Sequence, residues 1–373
     1  MAVMIIVADE NILDVTDAFQ TFGELRLLPG RQMRAEDVND ADALIVRSVT
    51  RVDEALLAGS QVSFVATATS GRDHLDLAWL ARAGVHVADA AGANANAVIE
   101  YVIQALCEVH DAHSPEVLGE RLQGKRFAVV GAGHVGSRLL RFCTDIGIQC
   151  VVCDPFLDRL SPMLAHLPRV DLDAALRCEL ISLHVPLTDG GPHPTRNMLD
   201  ANCIRDLAPG TVLINTARGE VLDASALHKR LIQQGDLEVV LDVYPDEPEI
   251  DRQLCERLRI ATPHIAGYSV DAKQAATQRV LAAFCTFFDL PMFEAMPPGG
   301  VGGAPVESGA SAGSDVFSPS AVSQRFLEHI RAVPADQSLA PVFDRMRKDL
   351  AARQERGLMR AASPTLPGNA PAY

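Results

Sequence analysis

The chain has 373 residues, 48% hydrophobic and 22% charged, which is enough for two or three domains with cores of their own. Its formal net charge of −15 argues against a nucleic-acid surface, which needs an excess of Lys and Arg to neutralise phosphates. No run is long and apolar enough to span a membrane, so no membrane partner is expected.

Residues 1–8 are apolar but short and have no basic leader, so they read as a first strand rather than a signal peptide. Further strands are predicted at residues 43–46, 64–66 and 85–87, with Ser60 and Gly84 in the turns before the last two. This alternation implies a parallel sheet. Asn94 is placed to cap a helix whose apolar positions are Val98, Ile99, Val102, Ile103 and Leu106.

Residues 127–136, FAVVGAGHVG, form an apolar run closing in glycines spaced G-x-G-x-x-G. Gly131 permits a tight turn, Gly133 lets the backbone approach a pyrophosphate, and Gly136 lets the next helix pack on the strand. The exposed amides and the positive end of that helix face the anion. Leu139, Leu140, Cys143 and Ile146 carry the helical spacing. A second strand, residues 149–153, ends at Asp154, whose carboxylate can accept from both ribose hydroxyls and would repel a 2′-phosphate. NAD is therefore expected as the cofactor in preference to NADP.

Cys150 and Cys153 form C-x-x-C, but on a strand residues three apart face opposite ways, and no second Cys pair follows at zinc spacing. No metal is expected. The eight cysteines fit buried thiols in a reducing cytoplasm.

Strands continue at 180–183, 211–215, 238–241 and 259–260, and a helix at 270–288. Residues 297–320, rich in Gly, Pro, Ser and Ala, read as a flexible linker. Phe326, Ile330, Val342, Met346 and Leu350 restore apolar periodicity in a module too short for a comfortable core, which a partner subunit would complete.

Three late strands end in polar segments, INTARG (214–219), LDVYPDEP (241–248) and TPHIAGY (262–268). Ligands gather at the carboxyl ends of strands in open α/β sheets, which makes Arg218, Glu247 and His264 candidates for one site. Oxidising a secondary alcohol with a nicotinamide requires the protein to accept a proton, and histidine suits that task. A carboxylate at Glu247 would orient the ring, and Arg218 can fork onto a substrate carboxylate. Each has an ordinary alternative: a core histidine, a solvated acidic loop, a structural ion pair.

The order GAGHVG, NTARG, DVYPDEP, HIAGY resembles the D-isomer-specific 2-hydroxyacid dehydrogenases. VADEN (7–11), VRSVT (46–50), ATATSGRDH (66–74), NAN (94–96), VIEY (98–101) and the tyrosine after HIAG are similar to the branch of that family acting on phosphoerythronate. The likeness covers residues 1–290 and resumes weakly at 343–355, with an unusual linker and an added His193 as departures.

The resemblance implies an α/β fold of two doubly wound parallel sheets. A Rossmann NAD domain would span residues 96–267, and a flavodoxin-like substrate domain residues 1–95 and 268–290. A flexible linker (291–320), a C-terminal dimerisation module (321–360) and a disordered tail (361–373) would follow. Implied roles are His264 as proton acceptor, Glu247 as its partner and Arg218 as substrate anchor, with Ser48, Thr69 and Tyr268 on the substrate. Gly131, Gly133, His134, Val135, Gly136, Asp154, Val185, Thr216, Ala217, Arg218, Asp242 and Gly267 would form the NAD site. Arg47 and Arg72 are candidate phosphate contacts, with surface ion pairs as the competing reading.

The implied reaction is NAD-dependent oxidation of a phosphorylated 2-hydroxy acid, 4-phospho-D-erythronate, to its 2-oxo acid by a homodimer. The rivals are a relative acting on phosphoglycerate, glyoxylate or hydroxypyruvate, and an NAD-sensing regulatory protein.

Overall fold

The computed structural model describes residues 3–156, 164–291, 317–350 and 353–355. The chain forms two units, Met1–Asn94 with Asp271–Phe317, and Ala95–Val270 with Ser318–Tyr373.

The first unit holds five parallel strands: β1 (Ile5–Asp9), β2 (Glu24–Leu28), β3 (Ala43–Val46), β4 (Phe64–Thr67) and β5 (His86–Asp89), ordered β2-β1-β3-β4-β5. Alternate residues feed two cores, because successive side chains on a strand point to opposite faces. Ile6, Ala8, Ile45 and Phe64 pack with Val280 and Phe284 of the helix Val270–Phe287. Val7, Leu44, Val46 and Val65 pack on the other face with Leu80.

Strand β2 was not among the sequence expectations. It is an edge strand, half exposed, whose Arg26 pairs with Glu24 and with Asp40, each at 2.7 Å. Charge on an edge blunts pairing with other chains, and it also removes the apolar run by which a strand is recognised. Asn94 does precede a helix, Ala95–Val109, but its carboxamide oxygen accepts from Ser70 Oγ (2.7 Å).

The second unit has six parallel strands: β6 (Arg126–Val130), β7 (Gln149–Cys153), β8 (Leu180–Leu183), β9 (Val212–Asn215), β10 (Glu238–Leu241) and β11 (Ile260–Ala261), ordered β11-β10-β9-β8-β6-β7. In both sheets the chain reverses beside its first strand, between β1 and β3 and between β6 and β8. Those reversal points, at the carboxyl ends of the strands, are where open α/β sheets bind ligands.

Most of the expected linker (291–320) and the whole of the expected tail (361–373) lie outside the described residues, but Pro319 and Ser320 at the end of the linker are helical. Ser318 caps the helix Pro319–Ala332 by accepting from Ala321 N–H (3.0 Å), and Pro319 takes the first turn, where its missing donor costs nothing.

The following segment is less dependent than its length suggested. Phe326, Ile330, Val342, Phe343 and Met346, the last three from the helix Ala340–Asp349, are buried in the second unit's core. A fully buried phenylalanine contributes roughly 1.5–3 kcal/mol, so this packing stabilises the segment within its own chain. Ser323 Oγ accepts the edge amide of Ala261 (2.9 Å), closing the sheet at β11.

Candidate active site

The glycine turn after β6 is built for close approach. Gly131 has φ +89°, and a Cβ there would lie 2.6 Å from the His184 carbonyl oxygen at the end of β8. A Cβ on Gly136, first residue of the helix Gly136–Asp145, would strike the Gly131 carbonyl. Gly133 has no such neighbour within 4 Å, and it is exposed with His134, while Val135 is half-buried.

Asp154 follows β7 and accepts from Ala132 N–H (2.8 Å) and Phe156 N–H (2.9 Å), which ties its carboxylate to the glycine turn and leaves lone pairs for two hydroxyls. Val185 is half-buried after β8. Beside it, burial drives the His184 imidazole down to about 3, so the ring that meets Ser182 Oγ (2.8 Å) stays neutral. Thr216 Oγ1 is buried and has no hydrogen-bond partner among the described residues. An open glycine cradle, a carboxylate at its edge and an orphaned hydroxyl fit a dinucleotide.

The polar ends of β9, β10 and β11 converge through backbone packing. Asn215 is buried, accepts from Ala217 N–H (3.0 Å) and donates to the Arg218 carbonyl (2.8 Å), so the NTARG turn is held from inside. A Cβ on Gly219 would land on the Tyr244–Pro245 backbone; glycine alone lets the Arg218 turn sit against the loop carrying Glu247. Tyr244 N–H donates to Glu247 Oε1 (2.8 Å), and Glu247 Oε2 meets His264 Nδ1 at 2.6 Å.

Burial alone would raise the Glu247 carboxyl. The facing His264 and its hydrogen bond, the Tyr244 amide and Arg347 outweigh burial and hold it below the usual glutamate value. An ionised Glu247 places the proton on Nδ1, which leaves Nε2 as the free base.

His264 has φ +55°, a left-handed conformation that a non-glycine residue adopts at a cost. Asp242, expected to line the cofactor site, is the buried group that holds this conformation. It accepts from Thr262 Oγ1 (2.6 Å), Ile265 N–H (2.8 Å) and Ala266 N–H (2.8 Å). Burial pushes its carboxyl up to about 6, against the pull of His264 and these donors. Tyr101 OH continues the chain to Thr262 Oγ1 (2.6 Å).

From the C-terminal segment, Arg353 donates to the carbonyls of Ala97 (2.7 Å) and Ala266 (3.2 Å), fastening the same loop from behind. Gly267 and Tyr268 follow, both half-buried. No local motif announces Tyr101, Thr262 or Arg353 as supports of His264.

In the first unit, Ser48 is exposed in the turn after β3. Thr69 Oγ1 lies 2.7 Å from the buried Thr67 Oγ1, which His74 Nε2 approaches at 3.0 Å. Both arginines form ion pairs, that of Arg47 with a buried partner: Arg47 Nε and Nη2 meet Asp9 at 2.9 and 3.2 Å, and Arg72 pairs with Asp89 at 3.4 Å.

The model for the NAD-binding domain of D-isomer-specific 2-hydroxyacid dehydrogenases matches residues 97–266. The chain is 46% identical over 283 residues to an erythronate-4-phosphate dehydrogenase of Pseudomonas entomophila, covering 76% of this chain and 72% of the relative. To that of Stutzerimonas stutzeri it is 40% identical over 363 residues, covering 94% and 93%. An NAD+-bound 3-phosphoglycerate dehydrogenase of Entamoeba histolytica superposes with a TM-score of 0.62 at 26% identity, over 77% of this chain and 96% of that one. The TT0316 protein of Thermus thermophilus, 23% identical with a TM-score of 0.65 over 77% and 98%, shares the fold.

Proposed function

The chain belongs to the D-isomer-specific 2-hydroxyacid dehydrogenases, and from that premise we propose that it oxidises 4-phospho-D-erythronate to (R)-3-hydroxy-2-oxo-4-phosphobutanoate with NAD, a step of pyridoxal 5′-phosphate synthesis. The relatives named for this activity, alike over most of the chain, support the substrate. The Glu247–His264 pair supports the chemistry.

When bound, NAD supplies the acceptor for the hydride that leaves C2. His264 Nε2 takes the C2 hydroxyl proton, and Glu247, already bonded to Nδ1, stabilises the imidazolium as it forms. The Arg218 guanidinium forks onto the C1 carboxylate and fixes the reacting carbon. Ser48, Thr69 and Tyr268 are assigned to the substrate. Gly131, Gly133, His134, Val135, Gly136, Asp154, Val185, Thr216, Ala217, Asp242 and Gly267 are assigned to the cofactor, with Asp242 also positioning His264. A homodimer and a cytoplasmic setting belong to the same proposal; eight free thiols suit a reducing compartment.

The test is NADH formation by the purified protein on 4-phospho-D-erythronate, 3-phospho-D-glycerate and D-glycerate, with glyoxylate and hydroxypyruvate in the reverse direction. Preference for 4-phospho-D-erythronate is expected. A higher kcat/KM for a phosphate-free acid would defeat the substrate assignment, and no turnover of any would favour an NAD-sensing role.

A further inference from the structure

A phosphate monoester needs a cation whose donors are not already committed. Arg47 and Arg72 meet that requirement less well, since each already faces an acid, Asp9 at 2.9 Å and Asp89 at 3.4 Å, and Arg218 is assigned to the carboxylate.

Arg347, on the helix Ala340–Asp349, meets it. Its guanidinium carbon lies 5.3 Å from the centre of the Tyr268 ring and 5.8 Å from that of Phe343. These aromatic faces orient a cation without consuming its N–H groups. Arg347 Nε is buried and has no hydrogen-bond partner, and no ion pair to Arg347 occurs among the described residues. The nearby Glu247 does not use those donors: its Oε1 is taken by Tyr244 N–H and its Oε2 by His264, although the charge of Arg347 reaches it. A buried, unpaired N–H on a pre-oriented cation is costly unless something completes it. Two neighbours in the second unit's site, Tyr268 and Glu247, show where that partner would sit.

We infer that Arg347 binds the phosphate of the substrate, so that the C-terminal helix supplies the group selecting phosphorylated over phosphate-free 2-hydroxy acids. This rests on the function proposed above and deepens it. It also gives the helix a chemical role: it brings a fixed positive charge to a chain that is acidic overall.

The test compares 4-phospho-D-erythronate with D-erythronate as substrates of the full-length protein and of Arg347→Met, with inorganic phosphate as a competing probe. Arg347→Met should raise KM for the phosphorylated acid roughly 10–10²-fold, as expected for lost charge-assisted hydrogen bonds. The penalty on D-erythronate should be at least about tenfold smaller. Inhibition by inorganic phosphate should weaken in parallel, and Arg347→Lys should restore part of the loss.

Equal penalties on both acids, with the acid limb of the kcat/KM profile displaced through Glu247, would overturn the assignment and leave Arg347 an electrostatic support. Should Arg347→Met not fold, the unaltered protein decides the matter. Inorganic phosphate should shield Arg347 from a dicarbonyl reagent, read by mass spectrometry, and an unchanged modification rate would refute the subsite. That arm needs no turnover, so it separates this inference from failure of the proposed function.

Discussion

The two sheets reverse direction in the same way, about β1 in one unit and about β6 in the other, yet their reversal points are filled in opposite fashion. After β6 stands a glycine turn, with a carboxylate bound to its edge and no atom within 4 Å of a would-be Cβ at Gly133. At the end of β1 and just after β3 stand Asp9 and Arg47, a buried carboxylate and a guanidinium that pair at 2.9 Å. Topology therefore selects where a ligand can bind, and side chains decide what kind of ligand fits there.

The comparison extends to chemistry. The second unit keeps titratable groups wired in series: Glu247 to His264, and Asp242 to the backbone that carries it. The first unit offers hydroxyls, with Thr69 supported by Thr67 and His74. In the proposed reaction the second unit would move the proton and the hydroxyls of the first would recognise the substrate.

His264→Ala should lower kcat by roughly 10²–10⁴-fold with NAD binding retained, the range expected for loss of general-base help. Turnover near that of the unaltered enzyme would erase the distinction between the units. Gly219→Ala forces the Arg218 turn off the Tyr244 backbone, and a displacement near 1 Å at a substrate anchor costs about 10²-fold. Activity unaffected by this change would mean that Arg218 does not depend on that seat.

Asp242→Asn sharpens the electrostatic side. The folded pKa of Asp242, about 6, lies above its ordinary 3.8. Its contribution to stability is therefore complete below the lower value and lost as pH rises through the upper one. Relative to the asparagine variant, the unaltered protein should lose about 2–3 kcal/mol across that window, read from denaturant titrations at several pH values. A gap independent of pH would show that burial does not raise this carboxyl.

The smallest effect is expected in the first unit. Thr67→Val keeps shape and removes the hydroxyl beside Thr69, at about 1 kcal/mol. KM for the substrate should rise severalfold with kcat within about twofold, and a kcat loss as large as the KM gain would assign this unit to the chemical step.

Much of the site was legible in the chain because its parts are local. The glycine turn, Asp154 and the polar ends of β9, β10 and β11 each follow from a strand meeting a turn, and a strand–turn–helix segment carries its own signature. Ser48 and Thr69 became candidates only by resemblance, since an isolated hydroxyl looks like any turn residue. Strand β2 was missed because its charged edge has no apolar run.

By itself, then, the sequence determined two parallel sheets, a dinucleotide turn and the histidine–glutamate pairing, since all are written in short-range spacing or in strand order. Tertiary structure alone decided which charges are spent and which are free. Asp9 meets Arg47 across 38 residues and Arg353 reaches Ala97 across 256, and Arg347 meets Tyr268 only after the C-terminal helix docks. Electrostatic energy depends on distance and burial in space, quantities that spacing along a chain does not encode.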